Sequence, residues 1–171
     1  MQKQNTISEF VGEYYFLSNF YSAPVTCFGY TFQNNEAAFQ AAKCPIRMQE
    51  FCNLNPSEAK RLGRRVHLRV DWEDIKDGVM YEVCKAKFFQ NPDIACRLIN
   101  TGTAYLVEGN TWGDRVWGVC DGVGENRLGK ILMEIRDELN HAVDELTKPI
   151  GYVITQEDLK HLFKTEEVHG N

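Results

Sequence analysis

An α+β fold, mainly helical and arranged as one compact domain with a small antiparallel sheet, is predicted by three observations. Apolar residues recur at helical spacing in two long stretches, from Trp72 to Ala86 and from Leu128 to Leu146. The aromatic, β-prone segment Gly12 to Thr31 is broken by Ser18-Asn19, Pro24 and Gly29, which reads as short strands and turns. A length of 171 residues suits one domain with a substantial core.

The elements follow in order. Residues 1–11 form an N-terminal lead, 12–147 the main domain, and 148–171 an extension. After the strands and turns, a helix is predicted from Asn34 or Asn35, either serving as its cap, to about Lys43, where Pro45 opposes continuation. Asn55-Pro56-Ser57-Glu58 combines a capping side chain, a first-turn proline and a carboxylate, so a second helix starts there and stops near Gly63. Asp71 caps a longer helix that turns Trp72, Ile75, Val79, Val83 and Ala86 to the core. Asn91-Pro92 opens a short helix closed near Thr101-Gly102, and Ala104 to Glu108 reads as a strand. A glycine- and tryptophan-bearing loop then spans Gly109 to Gly124. The last long helix starts near Glu125, buries Leu128, Ile131, Leu132, Ile135, Leu139, Val143 and Leu146, and ends at Pro149-Gly151. A final short helix from Thr155 and a loose tail from Thr165 are expected.

Composition narrows the function. No apolar run approaches the roughly 20 residues that cross a bilayer, so no membrane partner is expected. Met1 to Ser8 is polar without an apolar signal core. The six cysteines show no C-x-x-C spacing, and the four histidines complete no zinc pattern. Reduced thiols in a cytoplasmic protein, with no metal and no cofactor, are the expectation. A net charge of -5 argues against a general nucleic-acid coat protein and leaves room for a local basic pocket. Oligomeric state has no signature in this chain.

Three regions carry chemistry. Glu36, Gln40 and Lys43 fall at i, i+4 and i+7 on one helical face, with alanines beside them that leave space for a ligand; a solvated polar face has the same pattern. Lys60, Arg61, Arg64, Arg65 and Arg69 place five cations within ten residues, a phosphate site or a basic helix end. Trp112 and Trp117 stand beside glycines around Asp114, where an indole stacks on a base and a carboxylate manages protons, or where both simply serve the core. Trp72 is already explained by its helical stripe, and Asn126 near a helix start either caps or binds.

Taken in order, these segments resemble the NADAR family. The resemblance runs through Tyr15-Phe16-Leu17-Ser18-Asn19-Phe20, Glu36-Ala37-Ala38-Phe39-Gln40-Ala41-Ala42-Lys43 and Ala59-Lys60-Arg61-Leu62-Gly63-Arg64. It continues through Asp71-Trp72, Lys87-Phe88, Leu106-Val107-Glu108, Trp117-Gly118 and the run from Asn126 to Arg136. Two departures stand out: Ala37 replaces a frequent histidine, and Val119-Cys120 precedes Asp121-Gly122 where the family often continues rich in glycine or acid. Both bear on substrate choice more than on reaction class.

The resemblance implies an N-glycosidase that hydrolyses the bond between ribose C1 and an exocyclic amine. Its substrate is a phosphoribosylamino-pyrimidine intermediate of riboflavin synthesis, or ADP-ribose carried on the amino group of guanine in nucleic acid. It implies Glu36, Lys43 and Asp114 as catalytic positions. Asn19, Phe20, Gln40, Lys60, Arg61, Arg64, Trp72, Glu108, Trp117 and Asn126 are implied to bind substrate. Two routes fit: carboxylate acid–base catalysis by Glu36 or Asp114, or attack by Lys43 to form a Schiff base. A lysine near a helix C-terminus sits where the dipole favours the ammonium, so the second route requires Lys43 to be desolvated. The rival readings are a non-catalytic ADP-ribose-binding module and a plain interaction protein.

Overall fold

The computed structural model describes residues 5–147. Expectations for the side chain of Leu146 and for everything from Pro149 onward lie outside the described residues.

The helices are α1 (Asn35–Ala41), α2 (Pro56–Gly63), α3 (Trp72–Gln90), α4 (Pro92–Ile99) and α5 (Arg127–Thr147). The strands are β1 (Thr6–Ile7), β2 (Ser22–Cys27), β3 (Tyr30–Asn34), β4 (Tyr105–Leu106), β5 (Gly109–Asn110) and β6 (Val119–Cys120). The α+β class holds, and the small antiparallel sheet is the β2–β3 pair; among the described residues β1–β4 and β5–β6 add separate parallel pairs. Each parallel pair is two residues long. β1 and β4 are held by Tyr105 N–H to Asn5 O at 2.8 Å and Val107 N–H to Ile7 O at 2.9 Å, while Glu108 N–H points the other way, to the side chain of Asn126 at 3.0 Å.

The β2–β3 hairpin turns through Phe28 and Gly29, at φ 55° and 81°, the left-handed pair that matches strand twist. Ahead of it, Gly12–Leu17 is a 3-10 helix rather than strand. The donors Tyr14 N–H and Ser18 N–H bond three residues back to Val11 O and Tyr15 O, and a buried lysine on α3 claims the carbonyls of Phe16 and Ser18. A second 3-10 helix, Pro45–Phe51, follows α1.

Helix α1 is the structural centre. Asn34 caps it by accepting from Ala37 N–H at 2.8 Å, and every residue from Asn35 to Ala41 is buried. The small Ala37, Ala38 and Ala41 let α2 and α3 pack close around it. Glu36 and Gln40 are therefore buried, and the solvated-face reading of that pattern falls. Helix α2 has the full capping box: Asn55 accepts from Glu58 N–H at 2.9 Å, and the Glu58 carboxylate accepts from Asn55 N–H at 3.1 Å.

Asp71 occupies the cap position of α3 but does not cap it. Its carboxylate is taken by the Arg69 guanidinium at 2.6 and 2.9 Å. The buried stripe is also broader than expected. Trp72, Val79 and Val83 are buried, Ile75 and Ala86 only partly, and Met80, Cys84, Lys87 and Phe88 complete the inner face. Helix α5 begins at Arg127, two residues late, because Asn126 sits at φ 53°. It buries Leu128, Leu132, Ile135 and Leu139, with Ile131 and Val143 half-buried. All six cysteines are unbridged. Among the described residues no helix is long and apolar enough to cross a membrane.

Candidate active site

A cavity of about 670 Å³ opens between α1, the N-terminal segment and the loop after β4, a size suited to a nucleotide-like ligand. Helix α1 and the turn beyond it supply Glu36, Phe39, Gln40 and Lys43. The opposite wall holds Glu108, Asp114 and Trp117, and α2 sends in Lys60. Asn19 and Phe20 form a third side, with the Lys60 ammonium 5.7 Å from the Phe20 ring.

Glu36 is 7% exposed. Burial pushes its carboxyl above the usual range, against the opposing pull of Gln40 Nε2, which donates to it at 2.8 Å, and of Lys60 and Lys43. Asn19 O accepts from Glu36 N–H at 3.0 Å, tying the two walls together. The Lys43 amine has no hydrogen bond and no ion pair among the described residues. It lies 5.7 Å from the Trp72 ring and 6.0 Å from Phe39. Burial lowers its pKa, opposed by Glu36 and assisted by Lys60 and Arg64. The helix-end objection is weakened too, because the Lys43 carbonyl is already paired with Arg69 N–H at 2.9 Å.

Glu108 is pushed up to about 7 by burial and then by Asp114, with Lys87 and Lys60 pulling the other way. Asp114 has a building role. One of its oxygens accepts from Val116 N–H at 3.0 Å and Trp117 N–H at 2.9 Å, while Asn110 clasps its backbone on both sides. That turn sets Trp117 edge-on to Phe39, at 5.4 Å between centroids.

Four expected binding residues are not on the cavity wall. Trp72 is buried behind it, packed on Phe39 at 5.1 Å, because the helical stripe carries it into the core. Asn126 is buried as a clamp between Leu106 O and Glu108 N–H. Arg61 lies on the other face of α2, where with Arg65, Leu54, Glu58 and Leu62 it lines a separate groove of about 240 Å³. Arg64 stays outside the wall and acts on Lys43 only through its charge. Conversely, Glu9, Phe10, Val11, Tyr15 and Met80 line the cavity without having been singled out. The apolar pair Phe10-Val11 just before Gly12 was the available signal for the first of these. Among the described residues no cluster of His, Cys, Asp or Glu is arranged to hold a metal.

The NADAR domain profile matches residues 7–140, spanning α1 and every wall of this cavity. The chain belongs to the NADAR family. Relatives of it are named as N-glycosidases or as riboflavin biosynthesis proteins. It is 37% identical over 145 residues to N-glycosidase YbiA of Escherichia coli (strain K12), covering 80% of this chain and 90% of that protein. It is 38% identical over 130 residues to a riboflavin biosynthesis protein of Vibrio vulnificus, covering 72% of this chain but 35% of that one. The NMR structure of Escherichia coli YbiA aligns with a TM-score of 0.72 at 36% identity, over 84% of this chain and 89% of the other. Fold and family agree.

Proposed function

We propose that this NADAR-family chain uses Lys43 to hydrolyse the bond between ribose C1 and an exocyclic amine. The substrate is a phosphoribosylamino-pyrimidine or an ADP-ribosylated guanine. The coarser class rests on membership: the chain is a hydrolase of N-glycosyl bonds. The observation that carries the finer reading is the Lys43 amine, without a hydrogen bond or ion pair among the described residues, near the Trp72 and Phe39 rings and on a cavity wall it shares with the buried Glu36 carboxyl. Desolvation favours the neutral amine, which is the nucleophilic form. A binding module has no use for such a group.

In this route the amine lone pair expels the ribose ring oxygen, which takes a proton, and leaves a C1=N iminium. Lys43 adds to C1, the original amine departs with a proton, and water hydrolyses the lysine imine. Lys43 and a free ribose are regenerated. Glu36, two helical turns from Lys43, passes protons across that face. The riboflavin-named relative supports a free phosphoribosylamine as one substrate. Six unbridged thiols support a cytoplasmic setting.

Incubation with both substrates, followed by mass spectrometry, should release free base and ribose phosphate from the first, or guanine and ADP-ribose from the second. Borohydride added during turnover should fix an adduct on Lys43, and Lys43→Ala should lose about 10²-fold or more in kcat. An active Lys43→Ala without an adduct would remove the lysine route. No turnover on either substrate would remove the function.

A further inference from the structure

Glu108 is held more firmly than a substrate contact requires. Its N–H donates to Asn126 Oδ1 at 3.0 Å and its carbonyl accepts from Val119 N–H at 2.9 Å. Asn126 in turn gives its Nδ2 to Leu106 O at 2.8 Å from a left-handed backbone, φ 53°. Gly118 completes the seat: a Cβ there would lie 2.2 Å from Glu108 O and 3.0 Å from Glu108 Cγ. These contacts fix the backbone of Glu108, and the residue lines the cavity wall.

Its Oε2 is sealed from solvent and has no hydrogen-bond partner among the described residues. An ionised oxygen in that position is costly, which favours the protonated carboxyl on a residue that lines the cavity. Of the other wall carboxylates, Asp114 gives one oxygen to the Trp117 turn and Glu36 gives one oxygen to Gln40.

We propose that Glu108 is a catalytic residue, the proton donor to the departing amine nitrogen, resting on the N-glycosidase reading above. When the C1–N bond of the lysine adduct breaks, its electron pair stays on nitrogen and the Glu108 proton goes to that atom. The amine leaves neutral, and the Lys43 lone pair forms C1=N. Water then bonds to C1, one of its protons returning to the Glu108 carboxylate and the other going to the Lys43 nitrogen as the C1–N bond breaks with its electron pair on nitrogen, so both residues are restored each cycle. The groups facing Glu108 are Asp114, Lys87, Lys60 and Glu36, with the Glu9 side chain beside Gly109. Together with burial they hold its pKa near 7, where a general acid is effective.

The test is steady-state kinetics of Glu108→Gln, which keeps the shape and removes the acid. kcat should fall about 10²–10⁴-fold with KM within about threefold. The wild-type loss of kcat as pH rises through about 7 should vanish in the variant. Formate should restore part of the rate to Glu108→Ala, a rescue that a merely structural role would not show. Glu108→Gln with kcat within about threefold of wild type, or an unrescued Glu108→Ala whose pH limb persists, overturns the assignment. Loss in Glu108→Gln beside an active Lys43→Ala overturns only the lysine step and supports Glu108. A wild-type chain without turnover overturns the function and this assignment together.

Discussion

Lys87 has no exposed surface. Its Nζ donates to Phe16 O at 2.7 Å and Ser18 O at 2.9 Å and lies 5.4 and 5.1 Å from the Tyr21 and Phe88 rings. It therefore anchors the segment that presents Asn19 and Phe20 to the cavity. Burial depresses its pKa to about 7 from 10.5. Between those values the unfolded chain binds the proton and the folded chain does not, so this group makes stability rise with pH across that window. Lys87→Met leaves both carbonyls bare, at about 1–3 kcal/mol each, partly offset below the window by removal of a buried charge. Urea unfolding should show a larger deficit for the variant at about pH 9 than at about pH 6. A lysine on a helix reads as solvent-facing, so nothing in its neighbours marked it for the core. Trp72 was the opposite case: its spacing put it inside, and there it sits.

Between elements, Gly63 is the contact that fixes α2 against α1. A Cβ on it would lie 1.9 Å from Gln40 Oε1 and 3.0 Å from Gln40 Cβ. Gly63→Ala must displace a buried Gln40 and break its 2.8 Å donation to Glu36. A loss of roughly 1–3 kcal/mol is expected, visible as a lower melting temperature together with reduced kcat. What could be read from the chain at this scale was local. The Asn55 capping box needs only residues three apart, and it formed as written. The helical face of Glu36, Gln40 and Lys43 likewise needs only a period, and its members meet in one cavity. Asp71 failed as a cap because Arg69, two residues away, binds its carboxylate more strongly than helix N–H groups do. The parallel pairs β1–β4 and β5–β6 were not legible. Their partners are chosen by tertiary packing, with about a hundred residues between β1 and β4.

At the scale of the molecule, the described residues before Gly12 belong to the fold. β1 pairs with β4, Phe10 is in the core, and Glu9, Phe10 and Val11 line the cavity. A chain beginning at Gly12 is expected to melt at a lower temperature and to lose turnover. Equal stability and activity in calorimetry and the base-release assay would contradict the packing described. The distribution of cations was only half visible from sequence: five lay within ten residues, but a helix has more than one face. Lys60 enters the cavity while Arg61 turns to a separate groove.

The walls come from scattered stretches between Glu9 and Leu128, each borne by a different element. No short segment is therefore a portable version of this chemistry. Grafting the tryptophan-bearing loop onto another scaffold would carry over one plate and leave the amine and the buried acid behind. An engineer who wished to move the activity would have to transplant the chain from β1 through α5 as a single block.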